Sequence, residues 1–315
     1  MEILVYGAGA IGSVFGGFLS RKHSVTLLGR PWHLHEVRRL GLQVTGIWGS
    51  NTFTKLELST DAKLLRSRKP RFDLILCTVT ASDTAAAAKE IKRIAKDHTL
   101  VVSLQNGYGN IEALSAEVPI GRILAGRVIF GAELTPGIAT VTVSADDVVV
   151  GEAGKGKKLD RAEQIAQAFT ECGIKTKAVA DIQPHLWAKL AYNCALNGLA
   201  TLLDIPYGKL LLTPETKELM KAIVDEVYAV AKKSKIALDP TTPQGYVQRL
   251  FKKLIPVTSA HYPSMLHRIR HGHRTEIDHL NGAIVALGKK HHVATPINAL
   301  VTDLVKAKER LNLRE

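Results

Sequence analysis

The sequence predicts an α/β domain built on a parallel sheet, followed by an all-α domain. In the first half, short apolar strands alternate with helical stretches, which is typical of βαβ units and a doubly wound parallel sheet. After about Asp181 the strand patterns stop and only helical patterns follow. At 315 residues the chain is long enough for two domains, since single cores tend to stop growing near ~250–300 residues.

The first half alternates strands and helices up to about residue 180. The predicted strands are Ile3–Tyr6, Val25–Leu28, Leu74–Cys77, Leu100–Leu104, Arg127–Phe130 and Lys175–Val179. The predicted helices are Ile11–Ser20, Ala85–Ala95 and Lys158–Cys172. Between Pro136 and Gly151 the pattern changes and indicates an antiparallel hairpin extension. We therefore expect a first domain over residues 1–180.

The second half consists of helical patterns punctuated by Pro206-Tyr207-Gly208 and Asp239-Pro240. The predicted helices are Pro184–Leu203, Pro214–Ser234, Gln244–Leu254, Thr275–His291 and one near Pro296–Leu311. No internal repeat or low-complexity linker separates the halves. We expect a second domain over residues 181–315, packed with the first around a cleft where a ligand would bind.

The composition argues against nucleic-acid-binding, membrane-spanning and metal-binding proteins. The net charge is +13, from 42 Lys and Arg against 29 Asp and Glu, but the cations are spread along the chain without a nucleic-acid-binding motif. A cationic cleft that attracts a phosphorylated cofactor and a carboxylate substrate explains the positive net charge better than nucleic-acid binding does. The first residues lack a basic region and a small-residue cleavage site, so we do not expect a signal peptide, and no apolar run approaches the ~18–20 residues of a membrane span. Three cysteines without a CxxC pairing favour the reducing cytoplasm and no metal site.

A glycine-rich motif directly follows the first strand and opens a helix. Its residues are Gly7, Ala8, Gly9, Ala10, Ile11 and Gly12. The first glycine permits the tight turn, the second lets the backbone approach a pyrophosphate, and the third lets helix and strand pack closely. The helix N-terminus supplies free N–H groups and the positive end of the helix dipole. The motif predicts a dinucleotide-binding domain of the Rossmann type rather than an ordinary tight turn.

The end of the second strand indicates which dinucleotide binds. NAD-binding domains usually place Asp or Glu there to accept hydrogen bonds from the ribose 2′-OH. Here the strand is followed by Arg30, and no acidic residue occurs between Glu2 and Glu36. An arginine pairs with a 2′-phosphate through charge-assisted bonds, which favours NADPH/NADP⁺. The alternative is a solvated arginine in a loop.

A polar stripe marks the first helix after Asp181. Lys189, Asn193 and Asn197 are spaced by four residues and share one face of an otherwise apolar helix. Polar groups on a buried helix are costly unless something satisfies them. Both a ligand in a cleft and hydrogen bonds between helices remain open explanations on this pattern alone.

The sequence resembles the ketopantoate reductase (2-dehydropantoate 2-reductase) family over essentially its whole length. The resemblance rests on GAGAIG at the start, QNGYGN at 105–110, WAKLAYNCALN at 187–197 and SMLHRIRHGHRTEIDHLNG at 264–282. It implies a Rossmann domain followed by an all-α domain like the C-terminal domain of 6-phosphogluconate dehydrogenase. It also implies reduction of a small 2-oxo acid by NADPH, for pantothenate and coenzyme A biosynthesis in the leading hypothesis.

The resemblance also implies roles for individual residues. Lys189 would be the catalytic acid, and Glu276 would bias Lys189 electrostatically and reach the cofactor or substrate. Asn193, Asn197 and Ser264 would hold the substrate, while Asn106 and, through its backbone, Ala132 would line the cofactor. No nucleic acid or membrane partner is implied. The oligomeric state stays open, with a homodimer formed through the helical domain as one expectation.

Two positions depart from the family pattern. Thr80 stands where the family usually has a lysine after the strand at 74–79, and Tyr207 stands where some members have an asparagine before the glycine. These departures keep open the same chemistry on another 2-oxo acid. A non-catalytic NADP(H)-binding sensor is a further alternative, although a sensor needs no proton donor such as Lys189.

Overall fold

The computed structural model describes residues 1–69, 71–154 and 159–312. The chain divides into two compact units. The first comprises Met1–Gln105 and Asn110–Ile182, and the second comprises Asn106–Gly109 and Gln183–Glu315. The fold class is confirmed: an α/β unit with a mainly parallel sheet precedes an all-α unit.

The strands of the first unit are β1 Glu2–Tyr6, β2 Ser24–Leu28, β3 Leu42–Gly46, β4 Asn51–Phe53, β5 Glu57–Ser59, β6 Leu74–Cys77, β7 Leu100–Ser103, β8 Ile123–Arg127, β9 Phe130–Thr135, β10 Ile138–Ser144, β11 Val148–Glu152 and β12 Thr176–Val179. Eight of them form one large sheet in the order β12-β11-β8-β7-β6-β1-β2-β5. From β8 to β5 all neighbours are parallel, while β11 runs antiparallel to β8. The chain continues from β1 to β2 on one side and to β6 on the other, so the glycine turn after β1 lies at a topological switch point.

Among the described residues, five α-helices connect these strands. They are α1 Ala10–Leu19, α2 Pro31–Leu40, α3 Thr84–Ile94, α4 Asn110–Ser115 and α5 Asp160–Glu171. Of these, the sequence predicts α1, α3 and α5. The prediction for α5 began at Lys158, which lies outside the described residues. Helices α2 and α4 were not predicted, because the ten residues of α2 bury only three side chains and α4 is only six residues long.

A second, smaller sheet with the order β4-β3-β10-β9 covers α1. Phe15 and Phe18 of α1 pack against Phe130 and Trp48, with ring centroids 5.9 and 5.7 Å apart. Two predictions were wrong here. The predicted strand Arg127–Phe130 is the corner at which the chain leaves the large sheet for the small one. The hairpin predicted within 136–151 is formed instead by β9 and β10, and β11 returns to the large sheet.

The second unit is helical, and its longest helix is buried along most of its length. Its helices are α6 Gln183–Leu203, α7 Pro214–Lys233, α8 Pro243–Arg249, α9 Ile255–Val257, α10 Ser264–Arg270, α11 Asn281–His291 and α12 Pro296–Asn312. The predicted helix Gln244–Leu254 becomes α8 and a π-helical turn, Leu250–Leu254. The predicted helix Thr275–His291 begins only at Asn281, after a 3₁₀ turn. None of the described helices is long and apolar enough to cross a membrane.

Candidate active site

The turn between β1 and α1 has the geometry that close approach to a phosphate requires. Gly7 adopts a φ of +112°, and its N–H donates to the carbonyl oxygen of Leu28 at 3.1 Å. A Cβ on Gly12 would lie 2.3 Å from the Gly7 oxygen, so a side chain would push α1 away from β1. A Cβ on Gly9 would be 4.0 Å from the nearest heavy atom beyond its chain neighbours, which leaves the space beside Gly9 open.

The start of α1 is therefore suited to an anion. Gly9 is the N-cap and provides no side chain to cap the helix, and the first turn holds no acidic residue. Ala8 lies buried in the turn, and Ala10 and Ile11 are the first residues of α1. The N–H groups of this turn and the positive end of the helix dipole favour a negatively charged group such as a pyrophosphate.

Arg30 lies beside this turn. It is the N-cap of α2, two residues after the carbonyl of Leu28 that accepts from Gly7. A Cβ on the intervening Gly29 would be 2.8 Å from the Cβ of Ala8, so the two loops are in close contact. The Arg30 side chain is exposed, and within the described part of the chain no carboxylate forms a salt bridge with it. Its charge is available to a second anionic group.

In the helical unit, the segment Asn106–Gly109 is bonded both to α6 and to the 3₁₀ turn Ile277–His279. Nζ of Lys189, on α6, donates a hydrogen bond to Oδ1 of Asn106. The N–H of Tyr108 donates to the carbonyl of His279 at 2.8 Å, and the Tyr108 ring packs edge-on against Trp187 at 5.7 Å. These contacts bring the start of α6 and the 3₁₀ turn Ile277–His279 to the same short segment.

The three polar residues predicted on α6 differ in their surroundings. Lys189 is half-buried and bonded to Asn106. Asn193 is only 8% exposed, and no hydrogen bond from its carboxamide to a described residue is found. The carboxamide oxygen of Asn197 accepts a hydrogen bond from the Tyr207 hydroxyl at 2.5 Å. Lys189 and Asn197 are thus hydrogen-bonded within the helical unit, whereas Asn193 forms no side-chain hydrogen bond to a described residue.

Ser264 and Glu276 lie on elements that pack in the same unit. Ser264 is the exposed first residue of α10, whose Met265, Leu266 and Ile269 are buried. Glu276 is the half-buried N-cap of the 3₁₀ turn, and its carbonyl accepts from the N–H of His279 at 2.9 Å. Glu276 is thus three residues from the contact with Tyr108, while its pairing with Lys189 stays a prediction.

Comparisons with known proteins cover the whole chain. Residues 3–155 match the family model described as ketopantoate reductase PanE/ApbA, and residues 181–309 match that for its C terminal. The 2-dehydropantoate 2-reductase of Aquifex aeolicus (strain VF5) is 38% identical, over 100% of this chain and 99% of the relative.

The chain belongs to the ketopantoate reductase family. It is accordingly an oxidoreductase that acts on CH–OH groups.

Two similar solved structures support the family fold. The crystal structure of a PanE/ApbA family ketopantoate reductase from Ralstonia eutropha JMP134 has a TM-score of 0.86 at 28% identity and covers 99% of both chains. A ternary structure of D-mandelate dehydrogenase with NADH and anilino(oxo)acetate has a TM-score of 0.88 at 30% identity, also over 99% of both chains.

Sequence reasoning missed a histidine that stabilises the first unit of this ketopantoate reductase family member. His33, on α2, is fully buried. Its Nδ1 accepts from the N–H of Gly137 at 3.1 Å, which leaves Nε2 to carry the proton and donate to Oγ of Ser13 at 3.0 Å. Burial lowers the pKa of His33. A single histidine in a mostly polar segment gives no sequence signal that it is buried and hydrogen-bonded at both ring nitrogens.

The remaining predicted positions, Ala132 and Thr80, carry no charge. Ala132 is in β9 of the small sheet, where it pairs with Val141 of β10. Thr80 caps the 3₁₀ turn Ala81–Asp83, and its hydroxyl donates to the Asp83 carboxylate at 2.7 Å. At the end of β6 this ketopantoate reductase family member therefore presents a bonded threonine instead of a free ammonium.

Proposed function

We propose that the protein reduces 2-dehydropantoate (ketopantoate) to pantoate with NADPH, as a step of pantothenate and coenzyme A biosynthesis. The observation that carries the proposal is the hydrogen bond from Lys189 to Asn106, on the helix face that also bears Asn193 and Asn197. The relatives named 2-dehydropantoate 2-reductase support the choice of substrate over the full length of the chain.

Lys189 supplies both the charge and the proton that the reaction needs. Reduction breaks the carbonyl π bond and leaves negative charge on the substrate oxygen. An ammonium at that oxygen stabilises the charge and transfers the proton that completes the hydroxyl group. The bond to Asn106 restricts the long lysine side chain to one direction, which lowers the entropic cost of placing Nζ at the reacting oxygen.

The substrate groups are assigned to residues of the second domain, 181–315. Asn193, Asn197 and Ser264 would bind the carboxylate and hydroxyl groups, and Glu276 would favour the protonated form of Lys189. Asn193 fits this role because its side chain is only 8% exposed and its carboxamide forms no hydrogen bond to a described residue, so its polar atoms are available to a bound substrate.

The residues of the first domain, 1–180, fit NADPH. Gly9 leaves open space for the pyrophosphate, while Gly7 and Gly12 let β1 and α1 pack closely. Arg30, which forms no salt bridge to a described residue, offers its charge to the 2′-phosphate. Asn106 and Ala132 are assigned to the same cofactor by the family resemblance. When bound, the reduced nicotinamide supplies the hydride.

A second candidate is the reduction of a bulkier 2-oxo acid. The similar structure of D-mandelate dehydrogenase was solved with NADH and anilino(oxo)acetate, and this chain has Tyr207 where some reductases of the family have an asparagine. An aromatic 2-oxo acid such as phenylglyoxylate would be the substrate in that case.

The test is a steady-state assay of NADPH oxidation by the purified protein. Ketopantoate is compared with pyruvate, 2-oxoisovalerate and phenylglyoxylate, each with NADPH and with NADH. The proposal expects the highest kcat/KM for ketopantoate with NADPH. A higher kcat/KM for phenylglyoxylate would establish the second candidate, and no turnover with any 2-oxo acid would refute both.

A further inference from the structure

The carboxamide of Asn197 is held by a residue that lies outside the predicted site. The hydroxyl of Tyr207 donates to Oδ1 of Asn197 at 2.5 Å, although Tyr207 follows the end of α6. Asp204 adopts a φ of +56°, and the N–H of Ile205 bonds to the carbonyl of Ala200 at 3.1 Å. This left-handed turn ends α6 and returns the chain along the helix, so that Tyr207 reaches back to Asn197.

Backbone hydrogen bonds and ring packing position the Tyr207 ring independently of its hydroxyl. Its N–H donates to the carbonyl of His261 at 3.0 Å, and the next N–H, of Gly208, donates to the carbonyl of Ser259 at 2.9 Å. A Cβ on Gly208 would lie 1.9 Å from Oγ of Ser259, so this close pairing requires glycine. The ring also packs edge-on against Tyr192 at 5.9 Å and His261 at 5.3 Å.

The direction of the hydrogen bond follows from the protons available. Burial raises the pKa of Tyr207 well above its ordinary value, so the phenol keeps its proton and must donate it. The neighbouring Tyr192 donates to Oγ1 of Thr258 at 2.8 Å, since the Thr258 hydroxyl itself donates to the carbonyl of Leu254. The proton of Tyr207 therefore goes to Asn197, which must present its oxygen.

We infer that Tyr207 is a positioning residue that orients the Asn197 carboxamide so that its amino group faces the substrate. A carboxamide has an acceptor end and a donor end, and the Tyr207 hydroxyl occupies the acceptor. Nζ of Lys189 and the amino group of Asn197 then lie on one face of α6 as two hydrogen-bond donors, with the Asn193 carboxamide between them. Such a face recognises acceptor oxygens, above all a carboxylate, and this assignment rests on the proposed 2-oxo acid reduction.

The first test separates positioning from packing. Tyr207→Phe keeps the ring and removes the hydroxyl, so the KM for ketopantoate should rise about fivefold while kcat changes less than about twofold, the scale of one neutral hydrogen bond. In an Asn197→Ala background the same substitution should have no further effect on KM, because the group it orients is gone. Tyr192→Phe is the matched control and should leave KM unchanged in both backgrounds.

A second measurement decides the inference even if no 2-oxo acid is turned over. In protein labelled with ¹⁵N-asparagine, the side-chain amide signal of Asn197 is assigned by its loss in Asn197→Ala. Tyr207→Phe should shift its nitrogen resonance, because a hydrogen bond to the carbonyl oxygen polarises the whole amide. Tyr192→Phe should not.

Three outcomes would overturn the inference. They are an unchanged KM in Tyr207→Phe, effects of Tyr207→Phe and Asn197→Ala that add fully, and an unmoved Asn197 nitrogen resonance. If the unmodified protein does not turn over ketopantoate but Tyr207→Phe shifts the Asn197 nitrogen resonance as expected, the proposed substrate is refuted. The orientation of Asn197 by Tyr207 is then still established.

Discussion

Nζ of Lys189 donates a hydrogen bond to the carboxamide oxygen of Asn106, although 83 positions separate the two residues in the chain. Lys189 lies near the start of α6, whereas Asn106 follows β7 and belongs to a four-residue segment that packs within the helical unit. The bond joins a residue assigned to catalysis with one assigned to the cofactor.

Lys189→Ala should lower kcat by about 10²–10⁴-fold, the range expected for removal of a general acid. NADPH binding should persist, because the glycine turn and Arg30 are unchanged. Steady-state kinetics and fluorescence titration with NADPH measure the two effects. Lys221→Ala is the control, since Lys221 is bonded to Glu218 on α7 and should be dispensable. Near-normal turnover in Lys189→Ala would remove this residue from the mechanism.

Glu276→Gln should lower activity and move the basic limb of the pH–rate profile to lower pH. A carboxylate near Lys189 favours the ammonium form, so its removal makes the ammonium lose its proton earlier as the pH rises. The profile of kcat against pH is compared between the two proteins. If the basic limb stays in place, Glu276 does not act through Lys189, and Lys189 remains the acid by itself.

Arg30→Ala should weaken NADPH binding by about tenfold to a hundredfold, the scale of hydrogen bonds to a charged group. NADH binding should remain nearly unchanged, because NADH has no 2′-phosphate. The dissociation constants are measured by fluorescence titration. Arg38→Ala, on the same helix, should alter neither value. Equal affinities for NADPH and NADH in the unmodified protein would contradict the role given to Arg30.

Asn193→Ala and Ser264→Ala should each raise the KM for the 2-oxo acid with little effect on NADPH binding. Asn298→Ala is an informative contrast, because Asn298 is fully buried and bonded to Asn281 and Glu226 within the helical core. It should lower the midpoint of thermal unfolding and leave KM unchanged. A fall in unfolding midpoint without a change in KM for Asn193→Ala would place Asn193 in the core as well.

The free energy of unfolding should fall as the pH decreases below about 6.5, the ordinary pKa of histidine. Burial lowers the pKa of His33, so the folded protein keeps this side chain neutral while the unfolded chain takes up a proton. The stabilisation is complete above about pH 6.5 and is lost as the pH falls towards the lowered pKa.

Thermal unfolding between pH 8 and 5 measures this dependence. His33→Gln should be less stable at pH 8 and lose less stability on acidification than the unmodified protein. His98→Gln, at an exposed histidine, should follow the unmodified protein. Parallel curves for the unmodified protein and His33→Gln would show that His33 does not contribute, leaving His23, whose pKa burial also lowers, as the group to test.

The sequence alone predicted the features that depend on neighbours in the chain. The strand Leu74–Cys77 was predicted at its observed bounds, and the ends of α1 and α6 within one residue. The tight turn at the glycine motif and the common helix of Lys189, Asn193 and Asn197 were predicted for the same reason. Periodicity, turn residues and helix spacing act over a few residues, so one sequence displays them directly.

Only the tertiary structure decided features that depend on distant contacts. The chain turns at Arg127–Phe130 to build a second sheet over α1, although the residues there look like one continuous strand. Tyr207 was noticed only as a departure from a family pattern, yet its hydroxyl bonds to Asn197, and His33 joins α1 to a hairpin 104 positions away. Such contacts arise from burial and packing between segments brought together by folding, and no local pattern in the sequence encodes them.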